Sequence, residues 1–232
     1  MEIIRTNTDA IILKPVIYDD ARGYFFESFN SIDFMYSTGI SFHPVQDNES
    51  YSKKGVLRGL HFQVAPYSQA KLVRVVKGSV YDIAVDIRPF SKGFGHYTCV
   101  HLTEDNHFQF FIPKGYAHGF LVTSDEALFQ YKCDDYYRPS AEIGIKWNDP
   151  QIGINWGKIM KEYGIEEPIL SEKDKKWQTL NEYELSHRPM FIDPSINTVD
   201  GMKEQIKYAE EQFHKMCETF LSRFNGNSEN KE

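Results

Sequence analysis

The chain has 232 residues, a formal net charge of −7, and 41% apolar and 15% aromatic residues. The length suits one compact domain with an appendage. The acidic balance excludes a general nucleic-acid binder, which carries a basic face, while leaving room for an anionic small ligand in a locally basic pocket. Cys99, Cys133 and Cys217 are far apart and odd in number, so no disulfide framework or zinc spacing is expected. No run around Asp9 or elsewhere has the apolar length of a signal peptide or a membrane span. A cytoplasmic protein without nucleic-acid or membrane partners is the expectation.

From the start to about Trp156 the pattern is β. Short alternating or apolar runs at 11–15, 72–76, 80–87, 97–102, 108–112 and 127–131 are separated by Gly, Pro, Asn and Asp. A short helix is predicted over 31–38, and Lys77-Gly78 is predicted to turn a hairpin between its flanking strands. Many short strands at this spacing point to an all-β fold, an antiparallel sandwich or barrel of which the jelly roll is one version. The end of the chain differs. Met202, Ile206, Ala209, Phe213, Met216 and Phe220 fall on one stripe at alternating steps of four and three, bracketed by Gly201 and a polar tail. An amphipathic helix over about 201–224, docked on its own domain, is the expectation. The predicted division is therefore 1–188 for the β domain and 189–232 for a C-terminal extension.

The densest stretch for chemistry runs from Lys54 to Gln63 and places Arg58 and His61 in an apolar strand. Strict alternation sends them to opposite faces, but Gly59 between them allows a bulge that turns both inward. By itself a strand histidine is more often a hydrogen-bonded core residue. The spacing around it is similar to that of cupin proteins, whose metal sites follow G-x5-H-x-H, a Glu seven residues before a Gly, and P-x-G-x2-H. Here Gly55 precedes His61 at that spacing, and Pro113, Gly115 and His118 repeat the later part. The second His position is Gln63, however, and the Glu position is Lys71. An ammonium there repels a divalent cation, so neither metal nor cofactor is expected. A cavity holding His, Lys and Tyr suits proton transfer beside a carbonyl. There a histidine such as His61 is the usual base, Lys71 could steady the enolate oxygen, and a hydroxyl such as that of Tyr131 could give a proton from the other face, although singly Tyr131 also reads as a strand aromatic and Lys71 as a surface lysine.

The chain also resembles the dTDP-4-dehydrorhamnose 3,5-epimerase family along about 1–183. The resemblance rests on Arg22-Gly-Tyr-Phe-Phe-Glu27, Val45-Gln-Asp-Asn48, Gly55-Val-Leu-Arg-Gly-Leu-His-Phe-Gln63, Lys71-Leu-Val-Arg74, Val85-Asp-Ile-Arg88, Ile112-Pro-Lys-Gly-Tyr-Ala-His-Gly-Phe120, Trp147-Asn-Asp-Pro150 and Leu170-Ser-Glu-Lys-Asp174. It implies a metal-free cupin jelly-roll homodimer acting on a nucleoside-diphosphate 4-keto-6-deoxy sugar, in which the first strands cross to the partner. It implies His61 as base paired with Asp174, Tyr131 as acid, Lys71 on the enolate and His118 close by. Arg22 and Arg58 would hold the diphosphate, with Phe25 and Tyr137 stacking on the base. Glu27, Gln46, Asn48, Glu142 and Lys173 would complete the nucleotide-sugar site. A sugar 3,4-ketoisomerase and a non-catalytic nucleotide-sugar-binding cupin are the alternatives. The family pattern has no counterpart for 190–232, and its motifs recur in relatives acting on other nucleotide sugars or inverting only one carbon.

Overall fold

Alternation along the chain resolves into the strands of two facing sheets. The computed structural model describes residues 1–187 and, beyond them, Lys207. Its strands are β1 (Glu2–Arg5), β2 (Ile11–Lys14), β3 (Tyr18–Asp20), β4 (Gly23–Phe25), β5 (Gln46–Lys53), β6 (Leu57–Gln63), β7 (Lys71–Lys77), β8 (Ser79–Asp86), β9 (Tyr97–Thr103), β10 (Gln109–Ile112), β11 (Tyr116–Val122), β12 (Glu126–Cys133) and β13 (Glu142–Gly144). Helices α1 (Ser31–Thr38), α2 (Trp156–Glu162) and α3 (Leu180–His187) accompany them. Met1–Leu180 form one compact unit, and a second begins at Asn181. The tail helix predicted over 201–224 lies outside the described residues.

Two antiparallel sheets make the sandwich, one ordered β1-β2-β10-β7-β12-β5 and the other β13-β6-β11-β8-β9, and β3 pairs with β4 as a separate ribbon. Val73, Val75, Phe110, Ala127 and Phe129 of the first sheet meet Val80, Ala84, Val100, Leu102 and Phe120 of the second in one core. Apolar burial of this kind contributes about 25 cal/mol per Å² and is what holds the sheets face to face. This is the jelly-roll architecture expected of the sequence.

The outer face of the six-stranded sheet has its own cluster, in which Phe34 of α1 packs with Phe42, Leu72 and Phe111. Helix α1 matches its predicted span. Asn30 caps its start by accepting hydrogen bonds from the amides of Ile32 and Asp33, and Gly39 ends it in the left-handed region.

The predicted Lys77-Gly78 hairpin is corrected by the topology. β7 pairs with β10 and β12, whereas β8 pairs with β11 and β9. Gly78 is a corner at which the chain leaves one sheet for the other. Its φ is +80°, and a Cβ there would stand 2.0 Å from the Glu126 carbonyl oxygen, so the corner is closed to any side chain.

Candidate active site

The site begins with a bulge. In the β6–β11 ladder His61 faces His118 and Arg58 faces Phe120, so β6 spends one more residue than β11 over the same stretch. Gly59 absorbs it at φ +126°, where a Cβ would come within 2.5 Å of the Gly119 Cα. Two glycines thus let two backbones touch. Arg58 and His61 consequently line the same cavity, about 440 Å³ in volume, together with Lys71, His118, Tyr131, Ser171 and Asp174. His61 and His118 belong to the five-stranded sheet, and Lys71 and Tyr131 face them from the six-stranded sheet.

His61 is held from outside the sheets. Its Nε2 shares a short hydrogen bond with Asp174 Oδ1, and Asp174 opens a 3-10 turn, Asp174–Lys176. The Ser171 hydroxyl donates to Asp174 Oδ2 at 2.7 Å, and Trp177 Nε1 donates to Oδ1 at 3.3 Å. Burial pushes the Asp174 carboxyl up, but these three donors outweigh it and hold the group below the usual aspartate range. The Trp177 ring stands edge-on to the imidazole at 5.8 Å. It fits because Gly144, the register partner of His61, has no side chain: a Cβ there would lie 2.7 Å from the indole.

A second pair sits beside the first. His118 Nε2 lies 3.0 Å from both carboxylate oxygens of Asp82, which is wholly buried. Burial lowers the His118 pKa against the pull of Asp82, and it raises the Asp82 carboxyl. Burial likewise lowers Lys71, opposed by Cys133, Glu142 and Asp82. Lys71 forms no salt bridge among the described residues, which leaves its ammonium for an oxygen in the cavity. Burial raises the Tyr131 phenol and keeps its proton in place.

Next to His61, but outside the residues that line the cavity, lies a network of hydrogen bonds, and Asn48 lines a neighbouring hollow with Tyr131. Glu142 Oε2 accepts from the Tyr137 hydroxyl and from Lys173 Nζ, and its Oε1 lies 3.9 Å from His61 Nδ1. Burial raises the Glu142 carboxyl, but Lys173, Tyr137 and the nearby imidazole bring it below the ordinary glutamate value. Tyr137 N donates to Gln46 Oε1 at 2.9 Å, Gln46 Nε2 to Asn48 Oδ1 at 2.8 Å, and Asn48 Nδ2 to Cys133 Sγ at 3.8 Å. Arg58 Nε donates to Ser52 Oγ at 3.1 Å. Gln63 is a clamp: its amide holds the carbonyls of Tyr67 and Tyr136 and accepts from the amide of Arg138.

Arg22, Phe25 and Glu27 are not brought to this cavity. Arg22 pairs at 2.5 Å with Asp20 across the β3–β4 turn, Phe25 is 70% exposed at the end of β4, and Glu27 is exposed just beyond. Conversely, Asp82, Ser171, Trp177 and Gly144 belong to the site without having been singled out in the sequence. Asp82 left one signal, a carboxylate within the apolar strand β8. Ser171 left another, three residues before Asp174, the spacing of a local cap.

Fold and site together define a cupin jelly roll whose cavity carries proton donors and acceptors on facing sheets. The sequence model for dTDP-4-dehydrorhamnose 3,5-epimerase matches residues 6–182. The enzyme of that name from Escherichia coli K12 is 51% identical over 183 residues, covering 78% of this chain and 96% of its own. That from Methanothermobacter thermautotrophicus is 49% identical over 180 residues, covering 77% and 94%. The crystal structure of dTDP-6-deoxy-D-glucose-3,5-epimerase from Legionella pneumophila, in complex with dTDP-4-keto-L-rhamnose, aligns with a TM-score of 0.73 at 48% identity, covering 78% of this chain and 93% of that one. The chain belongs to the dTDP-4-dehydrorhamnose 3,5-epimerase family. Among the described residues no helix is long and apolar enough to cross a membrane.

Proposed function

We infer that this protein is an isomerase that inverts C3 and C5 of dTDP-4-dehydro-6-deoxyglucose, giving dTDP-4-dehydrorhamnose. The observation that carries the reading is the opposition of the His61–Asp174 pair on one sheet to Tyr131 and Lys71 on the other, across one cavity. The activities of the relatives and the sugar bound in the Legionella structure support it.

In this reading His61 removes the proton next to the 4-keto group, and Asp174 orients the imidazole and steadies its charge. The enolate oxygen lies on Lys71, with His118 fixed beside it by Asp82. Tyr131 returns a proton to the opposite face of the carbon. Arg58, Gln46, Asn48, Tyr137, Glu142 and Lys173 receive the nucleotide and sugar from the rim. Arg22, Phe25 and Glu27 serve the cavity of a second copy in a homodimer, which accounts for their distance from their own cavity. The chemistry uses no metal, works in the cytoplasm and resides in 1–188, with 189–232 as an extension.

The test is incubation with the 4-keto-6-deoxy nucleotide sugar in heavy water. Deuterium at C3 and C5 with formation of the rhamno isomer is the expected result. A 3-keto product would identify a ketoisomerase, and an unlabelled sugar a binding protein.

A further inference from the structure

Each inversion leaves the site out of balance. A C–H bond breaks and an N–H bond forms at His61; the Tyr131 O–H bond breaks and a C–H bond forms on the other face of the sugar. The base then holds one proton too many and the acid one too few. Before a second carbon or a second substrate can react, the proton on His61 must leave and Tyr131 must regain one.

His61 has one nitrogen committed, since Nε2 is bonded to Asp174. Nδ1 is the nitrogen left to take the carbon proton, and the carboxylate oxygen facing it is Glu142 Oε1 at 3.9 Å. That is longer than a direct hydrogen bond, and one water or a small side-chain rotation closes it. The rest of Glu142 is arranged to keep Oε1 available. Both strong donors, Tyr137 and Lys173, converge on Oε2, and those two side chains are themselves exposed. The carboxylate thus has one oxygen toward the base, whose own side chain is 25% exposed before a sugar covers it, and the other on groups that reach solvent.

We propose that Glu142 is the proton exit of the base: it takes the proton from His61 Nδ1 on Oε1 and passes it to solvent at the rim, while Tyr131 is reprotonated from solvent through the cavity. A carboxylate held below its ordinary pKa keeps such a proton only briefly, as a relay requires. The role lies beyond substrate contact, acts through His61, and rests on the epimerase reading above.

Glu142→Gln keeps the shape and the bonds from Tyr137 and Lys173 but cannot carry the proton. With dTDP-4-keto-6-deoxyglucose in heavy water, rapid quench of this variant should show a burst of about one inverted, deuterated carbon per site, the kinetic mark of a slow step after the first chemistry. Steady turnover should then fall by about 100-fold, far more than KM changes through the sugar contact of Glu142, and turnover should rise with the concentration of imidazole or acetate buffer. A raised KM with no burst would make Glu142 a substrate contact only. A slowed first inversion without buffer dependence would make it an electrostatic prop. Either result overturns the proposal. Wild-type protein run alongside separates this failure from the other: if it too fails to label the sugar, the epimerase reading falls first.

Discussion

Asp174→Asn isolates the charge behind the imidazole of His61, the base of the proposed reaction. The carboxylate accepts from His61 and Trp177 on Oδ1 and from Ser171 on Oδ2. An asparagine keeps its oxygen toward His61 and Trp177 and turns its amide to the Ser171 hydroxyl, which can accept instead of donate. The geometry therefore survives and only the charge is lost. Hydrogen bonds to charged groups contribute about 1.5–3 kcal/mol, roughly twice a neutral bond. Losing the charge should remove about 1–2 kcal/mol of support for the imidazolium, or about 5- to 30-fold in kcat. Initial rates of deuterium uptake measure this, and calorimetry should find dTDP affinity unchanged. Stability adds an independent reading. A folded-state pKa below the unfolded value near 3.9 means that Asp174 contributes stability above that pH and loses it as pH falls through the folded value. The variant should thus melt earlier than wild type near neutrality, with the gap closing in acid. Wild-type kcat in Asp174→Asn, or a loss as deep as that of Asp174→Ala, would refute the assignment of an orienting charge.

Tyr131→Phe keeps the ring and removes only the hydroxyl, so labelling from solvent should persist while net inversion falls much further; equal losses in an NMR assay would give Tyr131 another role. Gly144→Ala drives a methyl to within 2.7 Å of the Leu60 carbonyl and the Trp177 indole. Such overpacking costs about 1–3 kcal/mol, at about 2–4 °C of Tm per kcal/mol for a chain of this size. Turnover should fall too, because Trp177 steadies Asp174; an unchanged melting curve and rate would show that the indole locks nothing. Dialysis against a chelator should leave turnover intact, since Lys71 and Gln63 stand where a metal cupin needs donors; tightly bound metal that tracks activity on elemental analysis would say otherwise.

The parts of the fold legible in the sequence were those with an apolar rhythm. Strands β2, β7, β8, β9, β10 and β12 could be read because each puts apolar residues on the shared core, and α1 because its cap and glycine stop are local. Strand β5, with the sequence QDNESYSK, could not, because it has one strand partner and few apolar side chains. Gly78 looked like a hairpin turn because turn chemistry records a change of direction and not which sheet receives the chain. Within the site, the bulge at Gly59 was legible from Arg58 and His61 lying out of phase. Its other half, Gly119, was not, since only the crossing of two strands gives that glycine a purpose. Asp82 was hidden for the same reason: a buried carboxylate acquires meaning from His118, which is distant in sequence and adjacent in the sheet.

The His61–Asp174 pair joins two regions of unequal mechanical security. His61 lies on β6, laddered on both edges by β11 and β13. Asp174 lies on a segment tied to the sheets by isolated bridges at Val56–Ile169 and Ile145–Gln178. Contiguous stretches with few backbone ties open on their own, at free energies well below global unfolding. The segment around Asp174 should therefore exchange its amide hydrogens far sooner than β6 and β11. Each such opening leaves the imidazole in place but without its carboxylate. Moderate denaturant should accordingly silence the protein while its sandwich is still folded, and function should return on dilution as fast as a short loop closes.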